Sequence, residues 1–169
     1  MILSLQGIEQ FFAPWRHVYS DSTTLSTSVT ALHLLAMLFG GGLAIAADRT
    51  TLRLKGENPE MRRQHLVDLN AVHRPVLIAL TIQFLTGIAM LTSDLKTFIG
   101  SPALWVKLGL VALLLINGVL LQNTESALRR SSERDVSSGL WGRLRFNAIS
   151  SLVLWSATLV AGITLVNAA

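Results

Sequence analysis

The sequence predicts an all-α integral membrane protein: a four-helix transmembrane bundle with an N-terminal amphipathic interfacial helix. Three observations predict it. Hydrophobic residues make up 51% of the 169-residue chain and charged residues only 14%, where a soluble domain usually carries roughly 25% charged residues. Four apolar runs approach the roughly 20 residues needed to cross a bilayer. The arginines gather in two short segments between those runs.

The segment before the first run, residues 1–23, is too polar to span. Ile2, Leu5, Ile8, Phe12 and Trp15 recur at helical spacing, the pattern of an amphipathic helix lying on the interface. Trp15 and Tyr19 suit the headgroup layer, and His17, beside Arg16, belongs there too. Pro14 is expected to bend or end the helix. The segment does not read as a cleaved signal peptide, because it lacks a basic start and Gln6, Glu9 and Gln10 interrupt any apolar core.

Residues 24–169 form the bundle, with spans expected at about 24–47, 72–93, 102–123 and 144–166. Between the first two spans, Asn58-Pro59-Glu60 is a helix start: a capping residue, a proline at the first position, then an acid. A helix starting there runs into the second span, with Pro75 kinking it near the membrane surface. The third connection, SALRRSSERDVSSG, reads as a solvated loop with helix ends.

Charge sets the expected orientation. Arg49, Arg53, Lys55, Arg62 and Arg63 lie in the first connection, with Arg74 just inside the second span; Arg129, Arg130, Arg134, Arg143 and Arg145 flank the third. The second connection holds only Lys96. Basic loops face the cytoplasm, so both termini are expected outside, periplasmic in a bacterial inner (cytoplasmic) membrane. The net charge of +4 and the pI of about 10.3 are explained by these loops, and no nucleic-acid partner is expected. The absence of cysteine excludes disulfides, thiolate metal sites and covalent c-type haem attachment.

Polar residues inside the spans are the informative ones, because lipid penalises them. His33 lies in the outer half of the first span, about 13 Å from its outer end at helical rise. Ala36, Gly40 and Ala44 form a small-xxx-small series, with Gly40 on the His33 face, so His33 is expected to point at a protein neighbour. An imidazole there either hydrogen-bonds across the bundle or ligates a haem b or a pigment metal; the bonding role is the expected one. A bis-histidine haem has no second histidine at that depth, since His65 and His73 belong near the cytoplasmic side. Those two, eight residues apart, are expected to be solvated or interfacial.

Gln83 shares a face with Ala79 and Gly87 in the second span, and Asn117 lies mid-span in the third; both are expected to make interhelical hydrogen bonds. A quinone or proton site is the functional alternative at Gln83. Lys107, beside Trp105, is expected to snorkel to the interface, the alternative being a cation facing His33. Asp48, next to Arg49, is expected in a surface ion pair. No acid lies deep in any run, and no zinc-protease, hydrolase or phosphate-loop motif occurs; Gly40-Gly41-Gly42 lies within a span and is a packing element.

The stretch ALHLLAMLFGGGLAIAADRTTLRL, with His33, Gly40, Asp48, Arg49 and Arg53, resembles the first helix of a family of bacterial four-helix integral membrane proteins of no settled activity. The resemblance takes in GIEQFFAPWRHVY before it, Thr86-Gly87, Phe98 and Lys107, and ends near Asn117. A looser likeness exists to membrane b-type cytochrome and copper-resistance bundles. Their further histidines are missing here, so haem ligation is not carried over.

The expected function is that of a non-enzymatic accessory subunit of a larger energy-converting complex, respiratory or photosynthetic, which it stabilises through helix packing. Its expected partners are other membrane subunits and lipid. The alternatives are a redox protein holding a haem b, quinone or chlorin at His33, and a transporter of a small solute or metal; the lack of deep acids and of inverted repeats argues against the last.

Overall fold

The computed structural model describes residues 5–54, 59–130 and 138–168, and they are helical throughout apart from the short joints. In chain order the helices are α1 (Leu5–Asp21), α2 (Thr23–Arg53), α3 (Pro59–Ser93), α4 (Leu95–Ile99), α5 (Pro102–Arg130) and α6 (Ser138–Ala168). Four of them, α2, α3, α5 and α6, are long and apolar enough to cross a membrane. Each contains one of the apolar runs and extends past it at the arginine-rich end.

Local chemistry explains the boundaries. Ser22 caps α2, its hydroxyl accepting from the Leu25 N–H at 3.2 Å. Asp94 caps α4 in the same way through Thr97. Pro59 and Pro102 occupy first helical positions, where a missing N–H costs nothing. The cap expected at Asn58 lies outside the described residues. Pro14 neither ends nor replaces α1, which continues to Asp21. One turn of that continuation is anchored, because the Trp15 indole donates to the Ala89 carbonyl of α3 at 2.9 Å. The half-buried stripe of α1, with Ile8, Phe12, Trp15 and Tyr19, includes that anchor, while Phe11 and Val18 are exposed.

The long helices lie side by side in the order α3, α2, α6, α5. The end where α2 meets α3 and α5 meets α6 in sequence is called the basic end here; α1 and α4 sit at the opposite, distal end. α6 is central, and its buried residues Leu144, Ala148, Ser151, Trp155, Thr158, Ala161 and Leu165 recur every three or four positions. That spacing is the seam of a helix packed along its whole length.

The pairing of α2 with its neighbours depends on glycine. A Cβ on Gly40 would stand 2.8 Å from the Ala79 Cβ of α3, and one on Gly41 would stand 3.0 Å from the Trp155 ring of α6. The two glycines therefore admit α3 on one side and a flat indole on the other, while Gly42 faces open space. Polarity is inverted relative to a soluble bundle. His33, Gln83, Thr86, Asn117, Asn147 and Thr158 are buried, whereas Leu38, Phe39, Phe84, Leu85, Ile116 and Val153 are exposed. Such an exterior matches a lipid solvent.

Candidate functional site

Two layers of polar side chains lie between the helices. The distal layer is built on His33. Its Nδ1 lies 2.9 Å from the Thr86 hydroxyl. That hydroxyl gives its own proton to the Ile82 carbonyl at 2.7 Å, so the bond is consistent with Nδ1–H donating and Oγ1 accepting. The ring packs on Gly87 of α3, where a Cβ would meet the imidazole Cε1 at 3.4 Å, an ordinary contact. Gln83 and Gly87, which the sequence places on one face of the second span, both lie at the His33 ring, Gln83 through its backbone carbonyl.

Lys107 completes this layer. It does not reach outward: its Nζ lies over Gly162 of α6, 3.5 Å from where a Cβ would stand. Its charge is felt at His33, and no carboxylate pairs with it among the described residues. The ammonium therefore points into the bundle and not to the interface expected from its position near Trp105. Deeper along α6, the Thr158 hydroxyl is buried without a partner among the described residues.

Between the layers, Asn117 donates to the Asn147 carbonyl at 3.0 Å, joining α5 to α6. Of the small-residue series, Ala36 and Gly40 are buried and Ala44 is half-buried.

The layer at the basic end is richer in charge than the sequence indicated. Glu125, 2% exposed, holds His73 of α3 at 2.5 Å and Arg129 of its own helix at 3.1 Å. Arg129 also donates to the Leu66 carbonyl of α3 at 2.6 Å. Three residues thereby clamp α3 to α5. His65 is buried and shares a 2.8 Å hydrogen bond with Thr51 of α2, which in turn bonds to the Ala47 carbonyl. Asp48 is 3% exposed and its carboxylate faces Ser151 of α6, with Oδ2 buried and without a hydrogen-bond partner among the described residues. The Arg62 guanidinium stacks 5.2 Å from the centroid of the Trp141 ring.

Two expectations are corrected here. Asp48 is not in a surface pair with Arg49, because α2 continues to Arg53 and turns the carboxylate toward α6. His65 is not solvated but buried against α2, because α3 begins at Pro59 and carries it along the bundle, while His73 stays half-buried near the basic end. Asp48 and Glu125 are buried at the basic end, just past the apolar runs, so that no acid lies deep in any run. The sequence signal for Glu125 was the spacing: Leu114, Asn117, Leu121, Glu125 and Leu128 continue one helical face.

No group of three or more potential metal-ligating residues comes together among the described residues. Comparison with protein-family models, with curated proteins and with solved structures finds no match.

Proposed function

We propose that this chain is a structural membrane subunit, a four-helix packing module of a larger complex in the inner membrane, with the arginine-rich loops cytoplasmic and both termini outside. The observation that carries this reading is where the intramembrane polar groups go. His33, Asn117, His65, His73 and Glu125 each bond to a neighbouring helix. Polar side chains used in this way act as interhelical glue. Along the four apolar runs the outward surface carries large hydrophobic side chains suited to lipid and to other membrane subunits. An energy-converting complex is the host proposed, with α1 lying along the distal membrane surface.

A second reading has one specific observation behind it. Lys107 is an inward cation with no paired carboxylate, and His33 beside it is oriented through Nδ1 in the manner of ligating imidazoles. That pairing fits a haem b, quinone or chlorin held by one histidine. A bis-histidine haem is not supplied by this chain. Antiparallel pairing of His33 with Thr86 places His73 about 20 Å away along the helices.

Purification of the full chain from its membrane in mild detergent, with mass spectrometry of what accompanies it, separates the two. Stoichiometric recovery of other membrane subunits supports the structural role. A coloured chain recovered alone, bleached by His33→Ala, replaces it with the cofactor reading.

A further inference from the structure

The outward face where α2 meets α3 carries a groove of about 590 Å³. Its walls are Leu35, Phe39 and Leu43 of α2 and Ile78 and Ile82 of α3, and its basic end is closed by Arg74 and Pro75. We propose that this groove is a binding site for one anionic glycerophospholipid, with an acyl chain along the groove and the phosphate on Arg74.

Depth is the first argument. Arg74 is nineteen residues from Ser93, the end of α3. At helical rise that is about 28 Å, close to the roughly 30 Å hydrocarbon thickness of a bilayer. Arg74 therefore stands at the headgroup boundary when Ser93 stands at the other. Length is the second. The α2 wall from Leu32 to Leu43 covers about 16 Å, the depth of a single leaflet. The groove begins at the headgroup level of one leaflet and ends near the midplane.

Charge is the third argument. Arg129 is held by Glu125 and Arg62 lies over Trp141. Arg74 is exposed and has no hydrogen-bond or ion-pair partner among the described residues. A planar guanidinium free at headgroup depth matches a phosphate diester. At the same turn Pro75 has no N–H, so the Ala71 carbonyl lacks its helical donor. A hydroxylated headgroup such as that of phosphatidylglycerol offers both the anion for Arg74 and a donor for that carbonyl.

The test is native mass spectrometry of the full chain in detergent, titrated with phosphatidylglycerol or phosphatidylcholine of matched acyl chains. The expected result is one lipid bound with a preference for phosphatidylglycerol, and a loss of about five-fold in that preference in Arg74→Gln. Ile78→Trp fills the groove without touching the charge, and is expected to weaken both lipids while the melting temperature stays unchanged. Equal binding of the two lipids by the unaltered chain overturns the proposal. So does a preference that survives Arg74→Gln, because the headgroup is then held by the loop arginines instead.

Discussion

Glu125 is the residue on which the basic end turns. A carboxylate taken out of water is tolerated only when its charge and lone pairs are met. Here one oxygen meets His73 and the other meets Arg129. Removing it leaves a partly enclosed histidine without its partner, whereas Arg129 is exposed. Glu125→Ala is expected to destabilise the bundle by about 1–2 kcal/mol, less than breaking a fully buried pair, because the Arg129 it strands is exposed to solvent. Glu125→Gln keeps an acceptor for Arg129 and is expected to cost less than half as much. Thermal unfolding in detergent, followed by circular dichroism, reads both. Equal melting temperatures for the unaltered chain and Glu125→Ala would show that the clamp contributes nothing to stability. His33 differs in kind. Its bond to Thr86 is a single side-chain bond between two helices, and such bonds average about 0.6 kcal/mol. Its burial beside Lys107 is therefore hard to explain by stability alone, which is why the cofactor reading attaches to His33 and not to Glu125.

Among the elements, α2 shows most plainly what a sequence exposes and what it hides. The small residues at Ala36 and Gly40 were legible, because spacing of four fixes a common face. Their partners were not. Nothing in the chain's order says that Gly40 meets Ala79 while Gly41 meets Trp155, since that depends on which helix lies on which side. The apolar runs were legible for the same reason as in any membrane sequence: hydropathy reports the solvent. Of the helix ends beyond them only the start of α3 was legible, from Asn58-Pro59-Glu60; hydropathy gives no signal for the extensions of α2 and α5, where Asp48 and Glu125 lie. Lys107 was misplaced by a default. Snorkelling is the cheap solution for an exposed lysine, but Gly162 leaves room for the ammonium inside. The glycine triplet gives a direct test of this packing. Gly40→Ala is expected to cost about 1–3 kcal/mol, as overpacking at a rigid contact does. Gly42→Ala, with open space around it, is expected to be neutral or to stabilise by about 0.5 kcal/mol, because alanine is the better helix former. The same unfolding assay orders the two, and a Gly42→Ala variant less stable than Gly40→Ala would refute the α2–α3 contact.

At the scale of the whole molecule the proposal to test is that the basic end faces the cytoplasm, and charge is what supports it. The connections at the basic end carry the arginines, while the distal connection between α3 and α5 carries only Lys96. Retaining arginines on the cytoplasmic side fixes topology when loops are short, and all of these are short. The chain has no cysteine of its own, so single cysteines report sidedness without background. Thr97 lies in α4 at the distal end and Arg130 ends α5 at the basic end. Thr97→Cys is expected to react with a membrane-impermeant maleimide in intact cells, and Arg130→Cys only after permeabilisation. The reverse pattern would invert the bundle. Arg74 and its groove would then belong to the outer leaflet, and the buried carboxylates of Asp48 and Glu125 would open toward the outside instead of the cytoplasm. The helix contacts would survive such an inversion unchanged, because they depend on packing between helices. The anionic lipid would not necessarily follow, because anionic phosphatidylserine and phosphoinositides concentrate in the cytoplasmic leaflet of membranes that hold them. Orientation and lipid preference are therefore linked, and the labelling result decides which leaflet must supply the lipid at Arg74.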